Sequence, residues 1–473
     1  MLCEPTICVS VCVSEASISE ASISEASISE ASISEANLSV CETKANRSEA
    51  NATLTNKDRE DLFESICLLV DSYIHVNIQQ YIQPNFHSLI ANSIAVTITH
   101  TLMDVDLDLK EFIEKEVERA LALFYKHIAP PRSSGNTFIR LSKPCLAVLK
   151  KKVHYLQTIP QPEQRTPTWY EFRYKHLTAS NIWKVFISDS TRNQLIYEKC
   201  QPLIAVKYSG CGSLDSPMHW GQKYEPLSVM LYEEIYKAKV SDFGCIPHRT
   251  LDFLAASPDG IVTDETSLRY GRMLEVKNIV NREITGLPKM EYWVQMQLQM
   301  EVCELNECDF LETRFTEYAS KEDYENDTAD RKGLMMLFMS GEGKPIYEYA
   351  PLISNTVNIS NTVNISNTVN ISNPVSNFVD DWQEAMMEKN STLTWIKNIY
   401  WKLDQLSCVL VLRNKVWFKA IVPQLKDIWA TIEKEKESGY DHRLPKKAGV
   451  KVKKMGTFGE DIEMTSKCFI SIL

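Results

Sequence analysis

Apolar residues recur at helical spacing over much of the chain and alternate with polar ones at its centre. Leu62, Ile66, Leu69 and Val70 fall three and four apart, as do Phe112, Ile113, Val117, Leu121 and Phe124. Residues 57–129 therefore read as helices, closed by the break at Pro130-Pro131. Residues 160–350 mix both periods. Within them Leu274 and Val276 alternate with Glu275 and Lys277, a strand that carries both charges on one face. Further on, Tyr292, Gln295 and Gln299 form one polar helix stripe beside an apolar stripe of Trp293, Met296 and Met300. Leu227, Met230, Leu231 and Ile235 predict another helix, with Pro226 in its first turn and Glu225 near its N-terminus. Trp382, Trp395, Trp401, Trp417 and Trp429 punctuate 378–436, which is expected to be helical.

Two tracts follow neither period. The pentapeptide SEASI runs four times from Ser14 to Ile33 without an aromatic residue. Residues 1–56 are thus expected to be a disordered tail. ISNTVN occurs three times from Ile353 to Asn370, so 351–377 reads as an expanded loop between folded pieces. The end, 437–473, reads as a basic flexible tail around RLPKKAGVKVKK. These boundaries leave a helical accessory region at 57–159, a mixed α/β domain at 160–350 and a helical region at 378–436.

Composition narrows the classes without naming a function. The 473 residues have ample length for a sizeable core, and 51 Lys+Arg against 62 Asp+Glu gives −11. A polybasic binder is excluded, although a local basic groove can still sit inside an acidic whole. No apolar run approaches the ~18 residues of a membrane span. MLCEPTICVSVCVSEAS has no positive n-region and carries Glu4, so a soluble, intracellular protein is expected, in nucleus or cytoplasm. Thirteen cysteines without a CxxC pair suggest neither a disulfide framework nor a zinc ribbon.

Candidate chemistry converges on the central strand. Ser257-Pro258-Asp259-Gly260 is by itself a turn signal, with Gly260 taken as the left-handed position. Glu275-Val276-Lys277 is by itself a solvent-facing ion pair. Together they bring two carboxylates and an ammonium to one point. Hard cations such as Mg²⁺ take carboxylate oxygens, and the ammonium offsets charge developing on a phosphate. Those groups suffice to hydrolyse a phosphodiester.

These residues resemble the PD-(D/E)XK nuclease superfamily, and more narrowly its lambda-exonuclease-like branch, the YqaJ-type viral recombinases. Trp169, Arg173 and the run Leu177-Thr178-Ala179-Ser180 match the family's opening motif. Gly221 with Glu225 matches Gly-x-x-x-Glu, and Tyr292, Gln295 and Gln297 match Tyr-x-x-Gln-x-Gln. One departure is Tyr174-Lys175-His176, where the family often has glycine. The resemblance implies a restriction-endonuclease-like core, a mixed central sheet flanked by helices, with helical accessory zones. It implies a Mg²⁺-dependent deoxyribonuclease with two ions, for which Mn²⁺ substitutes, digesting double-stranded DNA ends 5′ to 3′. Asp259, Glu275 and the Val276 carbonyl are implied as metal ligands. Glu225 is implied to hold water at the metal, Lys277 to act on the nucleophile and Gln295 to position it. Arg173 and Ser180 are implied to grip a 5′-phosphate. Implied partners are a single-strand annealing protein and further copies of the chain in a ring. A structure-specific or nicking endonuclease on the same fold, a non-catalytic DNA-binding scaffold, and a virion structural protein are the other readings.

Overall fold

A computed structural model describes residues 54–102, 105–134, 145–203, 214, 216–352 and 374–444. The expectations for the SEASI tail, for most of the ISNTVN loop and for the basic run after Leu444 lie outside them.

Three long helices open the described chain: α1 (Asn56–Val76), α2 (Phe86–Leu102) and α3 (Leu107–His127). Each buries a stripe at the predicted spacing: Ile66, Val70 and Ile74 on α1, Phe86, Ile90, Ile94 and Ile98 on α2. Burying each such side chain contributes about 1.5–3 kcal/mol. Asp106 caps α3 by accepting from the Leu109 N–H at 2.8 Å. This layer shares one continuous core with residues of the central region, so the accessory helices and the mixed domain are not separate in packing.

Helix α4 (Leu146–Thr158) leads to α5 (Pro167–Tyr174), strand β1 (Leu177–Thr178) and short helices α6 (Ala179–Ile182) and α7 (Lys184–Ile187). Next come α8 (Asp189–Cys200), α9 (Pro217–Tyr236), β2 (Val240–Ser241), β3 (Ile246–Pro247), β4 (Leu254–Ala256) and β5 (Gly260–Val262). The predicted charged strand is β6 (Met273–Asn278), followed by α10 (Met290–Val302) and β7 (Glu307–Glu317). Then follow α11 (Lys321–Asn326), β8 (Lys332–Met339), β9 (Pro345–Tyr349), α12 (Pro374–Lys389), β10 (Thr394–Leu412) and α13 (Lys415–Ser438).

The main sheet has seven strands in the order β2-β5-β6-β7-β10-β8-β9, and a small sheet runs β1-β4-β3. β6 and β7 are parallel, connected through α10, while β5 and β10 run antiparallel to their neighbours. The fold is thus α/β, a mixed central sheet flanked by helices.

Two expectations need correction. Residues 378–436 are not all helical, because Trp395 and Trp401 lie on β10, a 19-residue strand. β10 pairs with β7 on one side and β8 on the other, so the sheet of the 160–350 domain is completed by residues beyond the repeat. Bulges between Trp395 and Lys397 and between Leu403 and Gln405 break its alternation, which hides the strand period. The second correction concerns α9, which starts at Pro217 behind the cap Ser216, so Pro226 and Glu225 sit in its middle. Pro226 offers no N–H to the carbonyl of Gln222 and loosens that turn beside Glu225.

Candidate active site

The sheet forks at one place, and the acidic residues gather in the fork. β5 pairs with β6 only at Gly260 with Leu274 and Ile261 with Met273. One step further, the Val276 N–H is met by a side chain, donating to Asp259 Oδ2 at 2.8 Å. The N–H and C=O of one strand residue point to the same edge, so the Val276 carbonyl faces the same fork. Gly260 keeps the fork tight by close approach, not by a left-handed turn as expected: a Cβ there would collide with Val240 Cγ1 of β2.

Glu275 is fully buried. One of its oxygens is bonded by the Lys277 ammonium, and Oε2 accepts from Gln299 Nε2 at 2.7 Å. Burial is the larger influence on its acidity and the Asp259 charge the next. They push it up to about 7 against the opposing pull of Lys277 and Gln299. Lys277 loses stability as a cation through burial, but Glu275 and Asp259 more than offset this and hold it above its ordinary value. Its ammonium also stands 5.2 Å from the Tyr292 ring centre. Glu225, on α9, is pushed up to about 7 by burial and by Asp259, and Arg165 Nη2 donates to it at 2.8 Å. Asn278 fastens α9 to β6: its Nδ2 donates to the Gly221 carbonyl at 3.0 Å, and its Oδ1 accepts from Ser228 at 2.7 Å.

Helix α10 is buried nearly all round. Its Tyr292–Gln295–Gln299 stripe faces β6 rather than solvent, antiparallel to it, with Tyr292 against Lys277 and Gln299 against Glu275. Gln295 is half-buried between those two on the stripe and makes no side-chain hydrogen bond among the described residues. Gln297 lies on another face, donating to the Leu412 carbonyl at 2.9 Å and accepting from the Asn414 N–H at 2.6 Å. Gln299 is thus the residue that sequence reasoning left without a role. Its place in the stripe was the available signal.

The expected phosphate-gripping pair is also together. Arg173 Nη2 donates to Ser180 Oγ at 2.8 Å, and its guanidinium lies 4.3 Å from the Trp169 ring centre. The turn that departs from the family pattern is closed by Lys199, which donates to the Arg173 and His176 carbonyls, each at 2.6 Å. Burial, and then the Arg173 charge, push Lys199 down to about 7.

The chemistry of the donors suits a hard divalent cation: Asp259 repels both Glu275 and Glu225 electrostatically, and the Val276 carbonyl adds a neutral oxygen. Among the described residues no group of three or more His, Cys, Asp or Glu side chains is placed to hold a metal ion, and protein donors bond Asp259, Glu275 and Glu225. When bound, such an ion supplies Lewis-acid polarisation of a phosphoryl oxygen.

Residues 168–306 match the family model of the YqaJ-like viral recombinase domain. Over those residues the chain is similar to that family. The matched region holds Arg173, Ser180, Glu225, Asp259, Glu275, Lys277 and Gln295, while β7, β8, β9 and β10 of the same sheet lie beyond it. An uncharacterized protein of Acanthamoeba polyphaga mimivirus is 27% identical over 306 residues, 59% of this chain and 54% of that protein. The chain thus spans about half the length of this curated relative. Among solved structures, an alkaline exonuclease from Laribacter hongkongensis matches at TM-score 0.32 and 19% identity, covering 58% of this chain and 95% of its own. The same exonuclease in complex with dAMP matches at TM-score 0.32 and 18% identity, with the same coverage. Among the described residues no helix is long and apolar enough to cross a membrane.

Proposed function

We propose that this chain is a divalent-metal-dependent deoxyribonuclease that digests double-stranded DNA from its ends, 5′ to 3′, in viral-type recombination or replication. The observation that carries the reading is the fork of β5 and β6. There a buried carboxylate, a second carboxylate and a lysine meet. Asp259, Glu275 and the Val276 carbonyl would hold Mg²⁺, or Mn²⁺ in its place, with two ions expected, and Glu225 would hold water at the metal. Lys277 orients the attacking water and offsets charge on the phosphate. Gln299 fixes Glu275, and Gln295, without a side-chain hydrogen bond among the described residues, faces the nucleophile. Arg173 receives the terminal 5′-phosphate, since a guanidinium binds two phosphate oxygens at once and stays charged at any working pH. The product strand is left for a single-strand annealing partner, and copies of the chain encircle the duplex as a ring.

The test is a comparison of 5′-phosphorylated with 5′-hydroxyl duplex in Mg²⁺. The phosphorylated substrate is degraded faster, and Arg173→Ala shrinks the difference mainly by slowing that substrate. A lost charged hydrogen bond of ~1.5–3 kcal/mol corresponds to roughly ten- to hundred-fold in rate. An enzyme indifferent to the 5′ group contradicts the exonuclease reading and favours the endonuclease one.

A further inference from the structure

A continuous set of contacts joins the phosphate-gripping pair to the carboxylates, and it passes through one residue. Trp169 lies under the Arg173 guanidinium and donates from Nε1 to Ser257 Oγ at 3.0 Å. The carbonyl of the same Ser257 accepts from Gln299 Nε2 at 3.2 Å, and Gln299 donates its other N–H to Glu275. Gln164 Nε2 reaches the next carbonyl, that of Pro258, at 3.0 Å, and the Phe243 carbonyl at 2.9 Å. Ser257 is therefore held from helix α5 through its hydroxyl and from α10 through its carbonyl, two residues before Asp259. Nothing in catalysis requires a serine there. A hydroxyl that accepts from an indole needs a reason.

We propose that Trp169 and Ser257 are positioning residues that fix the distance between the bound DNA terminus and the scissile phosphodiester, and so fix the length of the product released. The proposal rests on the exonuclease reading above. Arg173 stacks on Trp169, so any slide of that indole carries the terminal phosphate with it. Gln299 ties Ser257 to Glu275, so the other end of the same connection is the metal-ligand carboxylate. A rigid connection holds one nucleotide register over the site. A slack one admits a neighbouring register. Misplacement by a fraction of a nucleotide is enough, since reacting atoms must be held within a narrow geometry.

The test uses the full chain with Mg²⁺ and 5′-phosphorylated duplex labelled within the first nucleotides, at single turnover, with product lengths read by mass spectrometry. Wild-type protein releases one length. Trp169→Phe keeps the ring beneath Arg173 but loses the donor, and Ser257→Ala loses the acceptor. Each raises the fraction of products one nucleotide off by roughly two- to ten-fold, the loss of a neutral hydrogen bond. Preference for a 5′-phosphate is kept in both. The double variant is no worse than Ser257→Ala, which removes the shared bond and also the hydroxyl's bond to Cys245. A merely structural role gives slower cleavage at unchanged length. One product length in wild-type and in both variants overturns the proposal while leaving the exonuclease reading intact. Wild-type protein that fails to degrade duplex ends overturns that reading, and the proposal with it. Should Ser257→Ala not fold, Trp169→Phe decides alone.

Discussion

Lys277 and Glu275 stand two residues apart on one strand face, and each sets what the other can do. Without the ammonium, a fully buried carboxylate already pushed up to about 7 loses the partner that favours its charge. Lys277→Ala is therefore expected to abolish cleavage while leaving DNA binding nearly intact, since Arg173 and Ser180 are untouched. Turnover assays beside a DNA-binding titration check this, and unchanged turnover removes Lys277 from the chemistry. A pH dependence follows as well. Glu275 and Glu225 are both pushed up to about 7 by burial and by Asp259. Below that pH they hold protons that a metal must displace, so Mn²⁺ affinity falls as pH falls from about 8 to 6, up to ~tenfold per unit per carboxylate. For the metal-free protein the sign is opposite. Folded values above the unfolded ones mean that stability present below about 4.5 is lost as pH rises through about 7. Calorimetric titration of Mn²⁺ across that range checks the first, and flat affinity contradicts it. At this scale the sequence was informative where chemistry is local. A period of two put Glu275 and Lys277 on one face, and seven residues brought Arg173 to Ser180. The Gln299 bond to Glu275 was not legible, because it depends on the register of a helix against a strand.

Elements carry the precision of the fork, and β10 is the element most easily missed. Trp401 is 1% exposed against β8, where a Cβ added to Gly333 would stand 2.5 Å from its ring. Trp401→Ala is expected to lower unfolding free energy by about 3–5 kcal/mol, the range for large core truncations. Urea unfolding followed by Trp fluorescence and circular dichroism measures it, and a loss under about 1 kcal/mol contradicts a central place for β10. Trp395, on the same strand, is 46% exposed. The bulge after Trp395 reverses which face each residue meets, and that reversal is what made the segment look unlike a strand in sequence. Elements without bulges were legible: α1 and α3 emerge at their predicted spacing, and β6 at its alternation. Where α9 begins was misjudged because Pro226 mimics a first-turn proline while Ser216 and Pro217 supply the true start.

At the scale of the whole molecule, residues far apart in sequence build one site. α5, β4, β5, β6, α9 and α10 each place one part of it, and β10 closes the sheet behind them. A net charge of −11 gives no general attraction to DNA, so on the proposed reading binding depends on cations set locally, Arg173 foremost. This is why composition said little about function and two short motifs said most. The central claim is metal-dependent digestion from duplex ends. Its most direct measurement incubates the full chain with linear and covalently closed circular duplex of one sequence, in Mg²⁺ and in excess chelator. Linear duplex is expected to be shortened from its 5′ ends in Mg²⁺ while closed circles stay intact. Chelator is expected to stop digestion, as is Asp259→Asn in Mg²⁺. Efficient cutting of closed circles, or digestion that persists in chelator, contradicts it.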